Sequence, residues 1–92
     1  MWKVVWSDKV EKQLRKIPDY IQRKFQGWAA AVEEDGLPAV RKLPGFHDEP
    51  LKGQRLGQRS VRLNRAYRAI YFERTSGQIE IVEVIEVNKH EY

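Results

Sequence analysis

The sequence contains no cysteine, only two histidines and no long apolar run, and each shortage excludes a class of protein. Without cysteine there is no disulfide and no thiolate metal site, which fits the reducing cytoplasm. No apolar stretch approaches the ~18 residues of a membrane span. Met1, Trp2 and Lys3 lead straight into a strand-like run rather than a signal peptide. We therefore expect a cytoplasmic protein without a membrane segment.

The residue patterns of common enzyme sites are also missing. His47 and His90 lie far apart, and neither belongs to a metal-binding pattern such as His-x-x-x-His. No glycine-rich loop is followed by Lys-Ser or Lys-Thr, so the sequence has no nucleotide cradle. Serine hydrolysis would need a strained nucleophile turn that the sequence lacks. We expect neither a metal nor a cofactor.

What remains is the composition of one small globular domain. The chain has 92 residues, of which 41% are hydrophobic and 33% are charged. This balance is typical of a folded chain rather than a disordered one, and the length allows one domain. We expect residues 1–92 to form a single domain.

Positive charge is concentrated in residues 52–68. This stretch holds six basic residues and no acidic one, and the rest of the chain is slightly acidic. The basic residues are Lys52, Arg55, Arg59, Arg62, Arg65 and Arg68. A local positive field points to an anionic ligand, and arginine offers phosphate a planar fork of donors. A nucleic-acid backbone is the leading interpretation; a solvated basic hairpin and an acidic protein partner are the alternatives.

Two consecutive helices are predicted in the first part of the chain. Ser7 is a suitable N-cap, Pro18 ends one helix and begins the next, and Gly36 is a natural C-terminal cap. Apolar residues recur at helical spacing in both helices. The two stripes are Val10, Leu14 and Ile17, and then Ile21, Phe25, Trp28 and Val32.

The remaining regular structure is predicted to be β. A short strand covers Trp2–Trp6, and three more begin at Arg59, Tyr67 and Ile79. Glutamates recur every three residues in the last strand, where a bulge would reset the register. The order is β-α-α-β-β-β, an α+β fold. It has an antiparallel sheet, made of the N-terminal strand plus a three-stranded meander, with an αα-hairpin packed on one face.

One face of this sheet is expected to stay open. The strand that begins at Tyr67 is largely apolar on both faces, so it should be central in the sheet. One of its two rows of side chains must look toward the open side. The rows are Arg68, Ile70 and Phe72 on one face, and Tyr67, Ala69 and Tyr71 on the other.

Cleavage of RNA is a reaction that these residue types can perform without a cofactor. RNA supplies its own nucleophile, the 2′-hydroxyl, which DNA lacks. The protein must remove that proton and protonate the departing 5′-oxygen, and each task is typically worth about 10²–10⁴-fold in rate. Fixed cations must stabilise the charge that grows on the phosphate.

Three segments, in this order, resemble the RelE/ParE superfamily of bacterial toxins. They are Pro-Leu-Lys-Gly at 50–53, Gly-Gln-Arg-Ser-Val-Arg-Leu at 57–63 and Tyr-Arg-Ala-Ile-Tyr at 67–71. The resemblance spans essentially the whole chain and is strongest to the RelE, HigB and YoeB branches. It implies a toxin of a toxin–antitoxin pair that inhibits growth. In these branches the toxin is a metal-independent endoribonuclease, or mRNA interferase, which cuts messages in the ribosomal 30S A site. It also implies a cognate antitoxin that neutralises the toxin and forms an oligomer with it.

The resemblance also implies roles for individual residues. Arg68 would hold the scissile phosphate, and Glu49, Lys52 or His47 would act as the general base. His90 and Tyr92 would supply a general acid and a ring that stacks on a base. The tail reads His-Glu-Tyr, whereas YoeB-like tails end in adjacent His-Tyr, so either ring is a candidate for the acid. The residues expected to contact RNA are His47, Lys52, Arg55, Arg59, Arg62 and Arg65.

Other interpretations stay open at this point. ParE-type members share the fold but inhibit DNA gyrase by binding and have no nuclease activity. A degenerate member would bind RNA or antitoxin without cutting. Arg68 would have a purely structural role if it paired with Glu80 or Glu83 across the sheet. The presence of Arg68, His90 and Tyr92 together favours the nuclease.

Overall fold

The computed structural model describes residues 1–89, and it has the predicted order of elements with one additional short α-helix, two short 3-10 helices and one additional short strand. The strands are Trp2–Trp6 (β1), Glu49–Pro50 (β2), Arg59–Arg62 (β3), Tyr67–Ser76 (β4) and Ile79–Lys89 (β5). The helices are Asp8–Arg15 (α1), Asp19–Asp35 (α2) and Leu37–Arg41 (α3). Within residues 1–89, no helix is both long and apolar enough to cross a membrane.

The five strands form one sheet in the order β1-β5-β4-β3-β2. The predicted meander of β3, β4 and β5 is antiparallel, as is the pairing of β2 with β3. The predicted α+β fold is therefore confirmed, with one correction to the all-antiparallel sheet. β1 runs parallel to β5, so the sheet is mixed. Periodicity within a strand carries no information about its direction relative to a strand more than 70 residues away.

The helix pair covers one face of the sheet through the predicted apolar stripes. Ser7 caps α1, because its hydroxyl oxygen accepts a hydrogen bond from the amide of Val10 at 3.4 Å. All seven residues of the two stripes are buried. A row of ring contacts then crosses from β1 through α2 to β4. Its members are Trp6, Phe25, Trp28 and Tyr71, with successive centroids 5.1, 6.0 and 5.5 Å apart.

The contact between Trp28 and Tyr71 also decides which face of β4 is open. It places Tyr71 on the helix-covered side, together with the buried Ala69. Alternation along the strand then directs Arg68, Ile70 and Phe72 to the opposite side, which we call the open face.

A bulge interrupts the pairing of β4 with β5. Ile70 lies opposite Glu86, but the next residue, Tyr71, lies opposite Val84. Ile85 is therefore an extra residue on β5, and a single inserted residue reverses the facing of everything beyond it.

The bulge explains why Glu83 and Glu86, which are three residues apart, share one face of the strand. Glu83 lies opposite Phe72 on the open face, and the inserted residue returns Glu86 to that same face. Val87 keeps its side chain in the core, and its amide donates a hydrogen bond to Oε1 of Gln13 in α1 at 2.9 Å. The register reset proposed from the sequence is thus confirmed.

Gly36, between α2 and α3, is expected to tolerate no side chain. Its backbone has φ 85° and ψ 149°, a region that is essentially restricted to glycine. A Cβ atom at this position would also lie 2.9 Å from Nε1 of Trp2. We expect Gly36→Ala to lower the free energy of unfolding by about 1–3 kcal/mol, measured by urea denaturation.

Gly27 provides the matched control for that substitution. It lies in the middle of α2, is exposed, and a Cβ there would meet no atom within 4 Å. We expect Gly27→Ala to raise the free energy of unfolding by about 1 kcal/mol, because alanine favours the helix. Equal effects of the two substitutions would contradict the role assigned to Gly36.

Candidate functional site

A pocket lies on the open face, where β2, β3 and β4 run side by side. Its lining is polar and includes three arginines, a histidine and a glutamate. The lining residues are His47, Glu49, Ser60, Arg62, Asn64, Arg65, Tyr67 and Arg68. The pocket therefore combines positive charge with groups that can exchange protons.

Strand register brings the central residues of the pocket together. Glu49 lies opposite Ser60, and Arg62 lies opposite Arg68. Directly opposed residues in an antiparallel pair point to the same face, so all four side chains share the open face. Residues that are 19 positions apart in the sequence, such as Glu49 and Arg68, become neighbours across three strands.

The turn between β3 and β4 adds the rim of the pocket. Oδ1 of Asn64 accepts hydrogen bonds from the amides of Ala66 and Tyr67, each at 2.8 Å. This Asx-type turn lets the chain reverse direction within a few residues. As a result Arg65 and Tyr67 line the same pocket as Arg68.

His47 and Glu49 form a pair on the far side of the pocket. Nε2 of His47 lies 3.9 Å from Oε2 of Glu49, and the two side chains are 54% and 55% exposed. His47 has a left-handed backbone, with φ 46°, after the short 3-10 turn Pro44–Phe46. Such a conformation is uncommon for a residue other than glycine and is often found at functional sites. Both side chains are accessible to a ligand in the pocket.

Arg68 is half-buried at the end of β4 that lines the pocket. Its Nε donates a hydrogen bond to Oδ1 of Asn88 at 3.3 Å, across the sheet on β5. Arg62 is exposed beside it, and within residues 1–89 neither arginine forms an ion pair with a carboxylate. Their charges are therefore available to an anionic ligand.

The suggested pairing of Arg68 with Glu80 or Glu83 is wrong. Oε1 of Glu83 accepts from Nε of Arg74 at 3.0 Å, and Oε2 of Glu80 accepts from the hydroxyl of Thr75 at 3.3 Å. Both acids lie toward the other end of β5, away from Arg68.

Three of the six basic residues in the 52–68 stretch do not line the pocket. Lys52 is exposed in the loop after β2. Arg55 forms an ion pair with Glu86 at 2.8 Å. Arg59 lies opposite Tyr71 on the helix-covered side and donates from Nε to Asp48 at 2.6 Å. The structure thus brings Arg62, Arg65 and Arg68 to the pocket and directs Arg55 and Arg59 to acidic partners.

Asp48 anchors the segment that carries His47 and Glu49. Its side chain is fully buried, and its two oxygens accept from Arg59 at 2.6 Å and from the hydroxyl of Tyr71 at 2.5 Å. Burial, reinforced by the bond to Asp48, raises the pKa of Tyr71. The buried carboxylate therefore fixes the residues on either side of it against the sheet.

Four polar residues of the site were not identified from the sequence. They are Ser60, Asn64 and Tyr67 in the pocket lining, and Asn88, which contacts Arg68. The turn predicted at Asn64 indicates that this residue lies between β3 and β4, close to Arg68. The sequence gives no such indication for Asn88, because the bulge changes which face of β5 its side chain occupies.

The predicted tail residues His90 and Tyr92 lie outside the described residues. β5 ends at Lys89, which lies opposite Tyr67 of the pocket lining. Among residues 1–89, no three histidine, cysteine, aspartate or glutamate side chains converge as a metal site would require.

A family model decides the classification of the chain. The model for ParE toxins of the type II toxin–antitoxin system parDE matches residues 4–91. The chain belongs to this family. It is a toxin of the toxin–antitoxin class, and the superfamily resemblance of its sequence motifs is confirmed.

Solved structures agree with the fold of the toxin. A YoeB/ParE toxin from Agrobacterium tumefaciens is 25% identical, with a TM-score of 0.59 over 97% of this chain and 99% of that one. YafQ from Escherichia coli is 16% identical, with a TM-score of 0.71 over 98% and 94% of the two chains. A chain of the YoeB–YefM complex from Staphylococcus aureus is 15% identical, with a TM-score of 0.71 over 99% of both chains. The comparison with curated proteins gave no match.

Proposed function

We propose that the toxin is an endoribonuclease that cleaves messenger RNA without a metal ion. One observation carries the proposal: Arg62 and Arg68 share a single pocket with His47 and Glu49. Such a pocket combines cations for a phosphate with proton acceptors for a nucleophile, which are two requirements of RNA cleavage. The RNA itself provides the attacking 2′-hydroxyl.

In this mechanism the pocket binds the scissile phosphate through Arg68, with Arg62 and Arg65 along the adjoining backbone. Glu49 or His47 removes the proton from the 2′-hydroxyl, whose oxygen attacks phosphorus. The bond from phosphorus to the 5′-oxygen breaks, which leaves a cyclic phosphate on one fragment and a 5′-hydroxyl on the other. Lys52 does not line the pocket, so we assign it no part in removing the proton.

The general acid that protonates the departing 5′-oxygen is assigned to the tail. His90 is the candidate because an unperturbed histidine side chain has a pKa of about 6.5, which suits proton transfer near neutral pH. It follows Lys89, whose partner in the sheet, Tyr67, lines the pocket. Tyr92 is assigned to stacking on a base, with the acid role as its alternative.

We expect His90→Gln to slow cleavage by about 10²–10⁴-fold, the typical contribution of general acid catalysis. Binding of RNA should change far less, because the substitution removes a proton donor but leaves Arg62, Arg65 and Arg68 in the pocket to bind the backbone. Single-turnover cleavage and RNA affinity, both measured on purified toxin, check this. Equal losses in the two measurements would make His90 a contact residue instead.

Inhibition of DNA gyrase by binding is the second candidate function. The match of residues 4–91 to the ParE family model is the observation that favours it. This function needs a binding surface but no proton acceptor beside the arginines. Gyrase inhibition by binding gives no reason for His47, Glu49 and Arg68 to lie in one pocket.

Induction of the toxin in cells that lack an antitoxin separates the two candidates. RNA from these cells is phosphorylated in vitro, so that new 5′-hydroxyl ends can be ligated and mapped, and plasmid supercoiling is measured in parallel. New ends within messages, with normal supercoiling, are expected. Intact messages with altered supercoiling would overturn the nuclease proposal. Repeating the cleavage with purified toxin, with and without ribosomes, tests for the ribosome dependence that we propose.

The proposed partners follow from the proposed reaction. They are messenger RNA in the A site of the 30S subunit, in the cytoplasm, and a cognate antitoxin. The matched YoeB–YefM structure supports the second partner, since by its name it is a complex. We propose that the antitoxin covers or distorts the basic pocket and forms an oligomer with the toxin.

A further inference from the structure

A connected chain of polar side chains leads from the loop after β2 to Arg68. Nη2 of Arg55 donates to Oε1 of Glu86 at 2.8 Å. Nδ2 of Asn88 donates to Oε2 of the same glutamate. Oδ1 of Asn88 accepts in turn from Nε of Arg68 at 3.3 Å. Four residues from three parts of the sequence are thus joined on the open face.

The bulge at Ile85 creates this arrangement. If β5 paired regularly through Ile85, Glu86 would share a face with Val84 in the core, because every second strand residue points to the same face. Because Ile85 is bulged instead, Glu86 lies opposite Ile70 and Asn88 lies opposite Arg68. The local irregularity therefore delivers both side chains to the residue proposed to bind phosphate.

Glu86 determines how the amide of Asn88 is oriented. An ionised carboxylate only accepts hydrogen bonds, so it selects the amide nitrogen of Asn88. The amide oxygen is then left to face Nε of Arg68. A neutral oxygen holds the guanidinium in place without cancelling its charge, and a bond through Nε leaves the two terminal nitrogens in the fork that suits phosphate.

Arg55 balances the charge of Glu86. Its two terminal nitrogens are both engaged, Nη1 with Oε1 of Gln58 at 2.9 Å and Nη2 with Glu86. A glutamate without this counter-charge would attract Arg68, two residues away across the sheet, into a direct ion pair. Arg55 would then influence Arg68 through Glu86 and not by touching RNA.

We propose that Glu86 and Asn88 are positioning residues that orient Arg68 toward the scissile phosphate, and that Arg55 keeps Glu86 from capturing Arg68. This inference rests on the proposed function, and it deepens it by assigning Arg55 a different role from the RNA contact expected from the sequence. Each role follows from the hydrogen bonds: Glu86 accepts from both Arg55 and Asn88, and Asn88 accepts from Nε of Arg68.

The test measures single-turnover cleavage rate and RNA affinity of purified variants, on ribosome-bound and free RNA. Asn88→Ala is expected to reduce the rate about 10- to 100-fold, as misplacement of a reacting group by about 1 Å does, with affinity changed less than threefold. Arg55→Ala should reduce the rate similarly. Adding Glu86→Gln to Arg55→Ala should restore most of the rate, because it removes the unbalanced charge.

Arg74→Ala is the matched control. Arg74 lies on the same strand and face as Arg68, but it lies outside the pocket lining. Its ion pair with Glu83, at 3.0 Å, is comparable to that of Arg55 with Glu86. Its cleavage rate should equal that of the wild type. Thermal unfolding of every variant shows which ones remain folded, and the rescued double variant tests the idea even if Asn88→Ala unfolds.

The outcomes distinguish this inference from the function on which it rests. If Arg68→Ala cleaves RNA as fast as the wild type, the proposed site itself is overturned. If Arg68→Ala is inactive but Asn88→Ala and Arg55→Ala cleave normally, the site stands and the positioning roles are overturned. If Arg55→Ala weakens RNA binding at an unchanged rate, and Glu86→Gln does not rescue it, Arg55 is an RNA contact.

Discussion

Replacing Arg68 with alanine is expected to reduce the rate of RNA cleavage by about 10²–10³-fold or more, the usual cost of losing one preorganised group that stabilises transition-state charge. The fold should survive, because Arg68 lies on the open face and outside the core, where its Nε donates to Asn88 at 3.3 Å. Single-turnover cleavage measures the first effect, and thermal unfolding measures the second.

The chain offers two informative comparisons for this experiment. Arg74→Ala removes the same side chain from the same face of β4, away from the pocket, and should leave cleavage unchanged. Arg68→Lys keeps the charge but loses the planar fork of donors, so an intermediate rate is expected. Undiminished growth arrest by Arg68→Ala in cells would contradict the assigned phosphate site.

The largest effect on stability is expected from Asp48→Ala. The substitution removes the fully buried carboxylate that accepts from both Nε of Arg59 and the hydroxyl of Tyr71. Removing one partner of a buried ion pair costs about 3–5 kcal/mol. A small domain is stable by only about 5–15 kcal/mol, so much of that stability should disappear. Urea denaturation followed by circular dichroism measures the loss.

Two further variants make the result specific to Asp48. Tyr71→Phe removes one of the two donors and should cost about 1.5–3 kcal/mol, the usual value for a hydrogen bond to a charged group. Asp35→Ala removes an exposed carboxylate from the end of α2 and should be close to neutral. A loss below 1 kcal/mol for Asp48→Ala would show that the buried network contributes little to stability.

The helices and the meander could be predicted because their determinants are local. The stripe from Val10 to Ile17, the break at Pro18 and the cap at Gly36 each depend on neighbours a few residues away. The direction of β1 could not be predicted, because it depends on a partner strand at the opposite end of the chain. The bulge was anticipated only from the irregular spacing of glutamates.

The candidate site could be predicted only in part, for a related reason. Charge counting found the basic stretch and Arg68, but it treated all six basic residues alike. The structure separates them by partner: Asp48 binds Arg59 from 11 residues away, and Glu86 binds Arg55 from 31 residues away. Such pairings depend on strand register, which a list of charges does not contain.

The extra residue at Ile85 also bears on how this domain can evolve. Deleting that one residue would place Glu86 directly after Val84, so Glu86, Val87 and Asn88 would keep their partners Ile70, Ala69 and Arg68 in a regular ladder. A chain that keeps Ile85 but pairs without the bulge would instead turn Glu86 into the core and Val87 out of it, and would take Asn88 away from Arg68. The core and the site therefore require the same register, so selection for a stable domain alone is enough to preserve that register, whether or not a lineage still needs the activity.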